Sequence, residues 1–124
     1  RNSVGLDSPP TAAETRRARR ELARLGIAAL ERRRAGEVSY GELRLALFAR
    51  AFVRRPALLL LDEPFTGLDA VRRTQLRAAL DALADAGVTL VVALHHRDDR
   101  PRSVNRELRL ACGRAVGCHA TGRR

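Results

Sequence analysis

Lysine and methionine are both absent from this chain of 124 residues. Without methionine, Arg1 is not expected to be the native start. Without lysine, all 24 basic residues are arginine. A GxxxxGK(S/T) loop is therefore excluded, because its lysine is what reaches the β- and γ-phosphates of a nucleotide. Aromatic residues make up only 3% of the chain, which leaves few platforms on which nucleic-acid bases could stack. The two cysteines, Cys112 and Cys118, lack the paired spacings of a zinc site, and no signal peptide is visible. A reduced, cytoplasmic chain is the expectation. Apolar runs such as residues 57–61 are far too short to span a bilayer, so no direct membrane insertion is expected.

What is present in excess is arginine, alanine and leucine, with a net charge of +10. Such a charge suits a nucleic acid or an anionic membrane surface. With lysine wholly replaced by arginine and aromatics scarce, coding bias explains it better, and nucleic acid is the disfavoured partner. The length suffices for one small domain.

Residues 1–10 read as a polar loop ending in Pro9-Pro10. Thr11 and Glu14 spell the T-x-x-E capping box that opens a helix, which runs to Leu25 and stops at Gly26. Its apolar side carries Ala18, Leu22 and Leu25; the arginine-rich remainder is a solvated face. A short helical piece follows over residues 28–33. Ser39 and Glu42 form a second capping box. The helix it opens shows Leu43, Leu47 and Ala51 at a four-residue spacing, with Phe48 and Phe52 beside them, and Pro56 closes it. The run over residues 57–61 predicts a strand buried on both faces of a parallel sheet. Asp69 is the expected N-cap of a helix over residues 70–86 with a stripe of Leu76, Leu80, Leu83 and Ala84. Residues 88–94 predict a second buried strand, which completes a βαβ unit. The alternating tail around Gly113 predicts an edge hairpin.

Three features fall where an α/β sheet places its chemistry, at the carboxyl ends of strands and the amino ends of helices. Asp62-Glu63 ends the first strand. Two carboxylates there suit a cation held through water and the polarisation of an attacking water. Ser39-Tyr40-Gly41-Glu42 offers backbone amides and a hydroxyl to an anion, with Gly41 permitting close approach. His95 directly follows the second strand and could hydrogen-bond a terminal phosphate or orient water. Taken singly, the second reads more readily as a plain cap and the third as a structural histidine.

Together these residues resemble one family, the ATP-binding cassette (ABC) nucleotide-binding domains. Residues 38–42 resemble its signature motif, residues 58–64 its Walker B strand with the catalytic glutamate, residues 65–69 its D-loop, and His95 its switch histidine. Asp62 follows Ser39 by 23 positions, which fits a helix plus a strand. The resemblance covers residues 11–117. It implies an α/β fold, a partial P-loop NTPase with a parallel sheet core, helices and a C-terminal edge hairpin. Residues 1–37 would be the end of a helical subdomain, and residues 38–124 the signature helix, Walker B, D-loop, H-loop and C-terminal part of one incomplete ATPase core.

By the same resemblance Glu63 is the general base, His95 contacts the γ-phosphate, and Asp62 holds Mg²⁺ through water. Ser39, Gly41 and Glu42 contact ATP held by an opposite cassette, and Asp69 contacts that cassette. The implied ligands are ATP and Mg²⁺. The implied partners are a second ABC cassette, as dimer or tandem, and a membrane permease subunit, which puts the chain in the cytoplasm or peripherally at the inner membrane. Walker A, the A-loop aromatic and the Q-loop have no match and are expected upstream of residue 1. The chain is thus expected to be inactive alone. Tyr40 stands where a glycine is usual, Val38 for leucine and Glu42 for glutamine. The aromatic residue in the signature, the run at residues 44–47 and residues 95–99 are similar to the molybdate-transport, tandem-cassette type. Two alternatives remain, a basic nucleic-acid or ribosome-associated module and an inert truncated remnant. Because the partner strands of the sheet are missing, exposed apolar surface and poor solubility are expected.

Overall fold

The computed structural model of the chain describes residues 9–121. The loop expected over residues 1–10 therefore lies, for its first eight positions, outside the described residues. The chain packs as two compact units, one ending at Arg55 and the other beginning at Pro56.

In the first unit α1 spans Ala12–Arg24. Its start is set by a reciprocal cap: the Thr11 N–H and hydroxyl donate to Glu14 Oε2 at 2.8 and 2.7 Å, and the Glu14 N–H donates back to Thr11 Oγ1 at 3.2 Å. Its end is a Schellman motif. Gly26, at φ +69°, lets the Ile27 N–H reach the Leu22 carbonyl at 2.9 Å. A 3₁₀ turn covers Ala28–Leu30 and another Ala35–Glu37. The second helix, α2, spans Tyr40–Val53 with Ser39 as its N-cap, and α1 packs against it. The expected stripe of α2 is corrected here. The buried residues are Leu45, Ala49 and Phe52, whereas Leu47 is 53% exposed. The helix carries apolar side chains nearly all round, so spacing alone does not choose the buried face.

The second unit opens with β1, Leu58–Asp62, which pairs in parallel with β2, Thr89–Ala93. Between them runs α3, Ala70–Asp85, capped by Asp69 and packed on β2. Leu76, Ala79, Leu80 and Leu83 of α3 are buried, as is Leu59 of β1. α3 ends as α1 does, with Gly87 at φ +91° and the Val88 N–H bonded to the Leu83 carbonyl. The expectation of two buried sheet faces does not hold among the described residues. Leu58, Leu60 and Val91 are 50%, 68% and 54% exposed, and burial alternates along both strands, because α3 is the element of this unit that packs on the sheet. The expected exposure of apolar surface is present on these residues.

The tail forms an antiparallel hairpin of β3, Arg106–Ala111, and β4, Arg114–Ala120, as a two-stranded sheet of its own. Its two-residue turn places Cys112 at φ 49° and Gly113 at φ 72°, the doubly positive backbone of a type I′ turn. The architecture is α/β, with a parallel sheet, helices and a C-terminal hairpin. No helix among the described residues is long and apolar enough to cross a membrane.

Candidate functional site

The parallel register decides which residues meet beyond the strand ends. Asp62 is paired with Ala93, so Glu63 and His95 leave neighbouring strands at the same edge. The Glu63 N–H continues the ladder by donating to the Ala93 carbonyl at 3.1 Å. The chain then turns sharply, with Glu63 at φ 43°. That left-handed backbone costs a non-glycine residue on the order of 1 kcal/mol or more and persists only where the surroundings impose it. Here they do. The Glu63 carbonyl accepts from the Thr66 N–H at 3.2 Å, the Thr66 hydroxyl donates to Glu63 Oε2 at 3.1 Å, and Pro64, Phe65 and Leu68 are buried behind the turn.

The turn brings Glu63 Oε1 to 2.6 Å from His95 Nε2. Both side chains are accessible to solvent, so this contact contributes little to stability. Around it lies a cleft lined by Glu63, Phe65, Thr66, Leu94, His95, His96 and Asp99. The carboxylate–imidazole pair is open to solvent and held on strained backbone.

Asp62 is exposed at the last position of β1. Among the described residues no group of three or more His, Cys, Asp or Glu gathers as a metal cage. An exposed carboxylate of this kind is a donor that suits Mg²⁺, which keeps several of its waters when bound.

Asp69 lies six residues beyond Glu63, at the start of α3. Its Oδ1 accepts from the Arg72 N–H at 2.8 Å, and its Oδ2 meets the Arg72 guanidinium. The backbone hydrogen bond from Arg72, then the side-chain bond from the same residue, holds the Asp69 carboxyl below its ordinary range. Asp69 therefore has a local structural task as an N-cap.

Ser39, Gly41 and Glu42 belong to the other unit. Glu42 Oε2 accepts from the Ser39 N–H and hydroxyl, each at 2.8 Å, and the Glu42 N–H donates to Ser39 Oγ at 3.3 Å. The glutamate that replaces glutamine in the motif is thus tied down by its cap. The first helical residues, Tyr40 and Gly41, have amides with no acceptor inside the helix. Tyr40 is 66% exposed, with the Arg44 guanidinium 5.9 Å above its ring.

Two residues with no role assigned from the sequence hold a residue that lines the cleft. Arg73 and Arg77, one turn apart on α3, reach Asp99 in the segment after His95, and each also touches the turn after Glu63. Their four-residue spacing was visible in the sequence; their partner, more than twenty residues away, was not.

The family model for ABC transporters matches residues 2–66. The chain is 46% identical over 79 residues to the ABC transporter ATP-binding protein ModF of Escherichia coli, a match covering 64% of this chain and 16% of that protein. It is 41% identical over 96 residues to the thiamine import ATP-binding protein ThiQ of Rhizobium meliloti, covering 77% of this chain and 40% of that one. The fold is similar to that of cbiO1 from Clostridium perfringens, part of the ABC transporter complex cbiONQ. The TM-score is 0.74 at 24% identity, over 93% of this chain and 46% of that one. The chain thus spans less than half the length of each of these.

Proposed function

The chain belongs to the ABC transporter family, and from that premise we propose that it is the C-terminal part of an ATP-hydrolysing cassette whose P-loop lies on polypeptide outside these 124 residues. The observation that carries this reading is the strained Glu63, at φ 43°, with His95 Nε2 2.6 Å from its carboxylate at the carboxyl edge of two parallel strands. A carboxylate held this way can take a proton from a water that attacks the γ-phosphorus; the bond to the bridging oxygen breaks and ADP leaves with that oxygen. His95 donates to a γ-phosphate oxygen. Asp62 would hold Mg²⁺ through water, and the ion would supply charge neutralisation to the phosphates.

Ser39 and Gly41, with Glu42 fixed by the cap, face ATP bound by a second cassette, and Asp69 lies at that contact. ATP, a second cassette and a permease subunit are the ligand and partners of this reading, with the chain on the cytoplasmic side of the membrane. The relatives' names specify thiamine, phosphonates, aliphatic sulfonates and chelated iron, so family membership does not choose a cargo. The molybdate-type resemblance remains a statement about residues 39–47 and 95–99.

The test pairs this chain with a complementary cassette half that carries a GxxxxGK(S/T) loop. The chain alone is expected to show no ATP turnover, and the assembled cassette to hydrolyse ATP. Turnover by the pure chain would sink the fragment reading. Failure of the assembled cassette to bind ATP would sink the assignment of this edge to nucleotide.

A further inference from the structure

The turn after Glu63 and the segment after His95 are separated by more than twenty-five residues of sequence, yet two arginines hold them together. Arg73 Nε donates to the Leu68 carbonyl at 3.0 Å, and its Nη1 lies 3.3 Å from both carboxylate oxygens of Asp99. One guanidinium thus bonds both segments at once. Arg77 repeats the link one turn on. Its guanidinium lies 5.9 Å over the Phe65 ring, its Nη2 donates to the Asp98 carbonyl at 2.9 Å, and the same atom is 3.6 Å from Asp99 Oδ1. A further turn along α3, Asp81 Oδ1 accepts from the Ser103 N–H at 2.9 Å. Positions 73, 77 and 81 form one stripe of the helix. The stripe looks solvent-facing in sequence and is instead the seat of the segment carrying His95.

Asp99 is the one buried charged residue among the described residues, 8% exposed. A buried carboxylate is costly unless paired and hydrogen-bonded. The geometry is therefore a constraint: if Arg73 moves, Asp99 is left with the longer 3.6 Å contact to Arg77, and the link through one guanidinium from the Leu68 carbonyl to the loop four residues after His95 is lost.

We propose that Arg73 is a positioning residue that couples the Phe65–Asp69 turn to the His95 segment, so that Glu63 and His95 move as one body. This rests on the reading of Glu63 and His95 as the ATP-facing pair. Arg73 itself touches no substrate. A guanidinium suits the task because it can hold a carbonyl and a carboxylate simultaneously, which a single ammonium head cannot.

Three variants test it: Arg73→Met, Arg73→Lys and Asp99→Asn. The first measurement is hydrogen exchange on the chain itself, which needs no nucleotide. Arg73→Met is expected to raise exchange together in residues 64–69 and 94–100, by about threefold or more, and to leave residues 106–120 unchanged. Asp99→Asn is expected to do the same in 64–69, although it lies outside that turn. Loosening confined to residues 97–100, or none, overturns the coupling. The second measurement is turnover by the assembled cassette. Arg73→Met and Asp99→Asn are each expected to lower kcat about tenfold with KM for ATP unchanged, and the double variant no further, as members of one unit behave. Arg73→Lys is expected to restore the melting temperature but not kcat. A fall in melting temperature with undiminished kcat in Arg73→Met makes Arg73 merely structural and ends the proposal. If the unaltered cassette shows no turnover, the ATPase reading has failed, and the exchange data alone decide whether Arg73 couples the two segments.

Discussion

Glu63 and His95 stand 2.6 Å apart because Asp62 and Ala93 are paired in a parallel ladder. A register slip of one residue would move one strand end past the other by about 3.3 Å and pull these side chains apart. The contact therefore reports on the pairing of β1 with β2 as much as on the two side chains.

The first prediction concerns chemistry at that contact. In the assembled cassette Glu63→Gln is expected to retain ATP binding and to lower hydrolysis by about 10²–10⁴-fold, the usual contribution of a positioned acid–base group. Single-turnover hydrolysis measures it. An undiminished rate would remove Glu63 from the role of base.

Glu63 also offers a test of strain. Replacing it by glycine relieves the positive φ and is expected to stabilise the chain by about 0.5–1 kcal/mol while abolishing hydrolysis. Urea denaturation reads the first effect and turnover the second. A stability loss would mean that the Thr66–Glu63 hydrogen bond outweighs the backbone cost.

The signature cap has a separable structural role. Ser39→Ala removes the acceptor for the Glu42 N–H and is expected to destabilise the chain by roughly 1 kcal/mol. Glu42→Gln, which installs the residue usual in the family, preserves a capping-box acceptor and is expected to be near neutral. Denaturation midpoints of the two variants, measured side by side, check the contrast.

Asp69 makes acid stability predictable in sign. Its carboxyl is lowered by the bonds from Arg72, so the folded state binds this proton more weakly than the unfolded chain. Its contribution is fully present above the unfolded carboxyl range, near pH 4, and is lost as pH falls through the lower folded value. Asp69→Asn is expected to flatten the acid limb of the stability profile, with little change at pH 7 beyond the altered cap. An unchanged acid limb would show that the Arg72 bonds do not persist in solution.

The open sheet face makes a prediction about solubility. Leu60 and Val91 lie exposed on neighbouring strands. Leu60→Glu is expected to reduce self-association of the isolated chain, measured by gel filtration across concentrations, and to impair assembly with the P-loop half that would cover this face. Equal self-association of variant and parent would mean that another surface drives it.

What the sequence by itself determined lies within three or four residues of contact. The Thr11–Glu14 and Ser39–Glu42 boxes, the Asp69 cap and the glycine stops at Gly26 and Gly87 are local hydrogen-bond patterns, and all appear in the structure where the spelling puts them. The ordered set from Ser39 to His95 pointed to the family for a related reason: its spacings are those of a helix, a strand and a second strand. Tertiary structure alone decided the rest. It chose Leu45, Ala49 and Phe52 as the buried side of a helix that is apolar nearly all round, and it left one face of β1 and β2 open. It also joined Arg73 to Asp99 across 26 positions. An arginine that faces solvent and one that anchors a distant loop have the same spacing and the same charge. Only the folded chain, by bringing the loop over the helix and burying its carboxylate, distinguishes them.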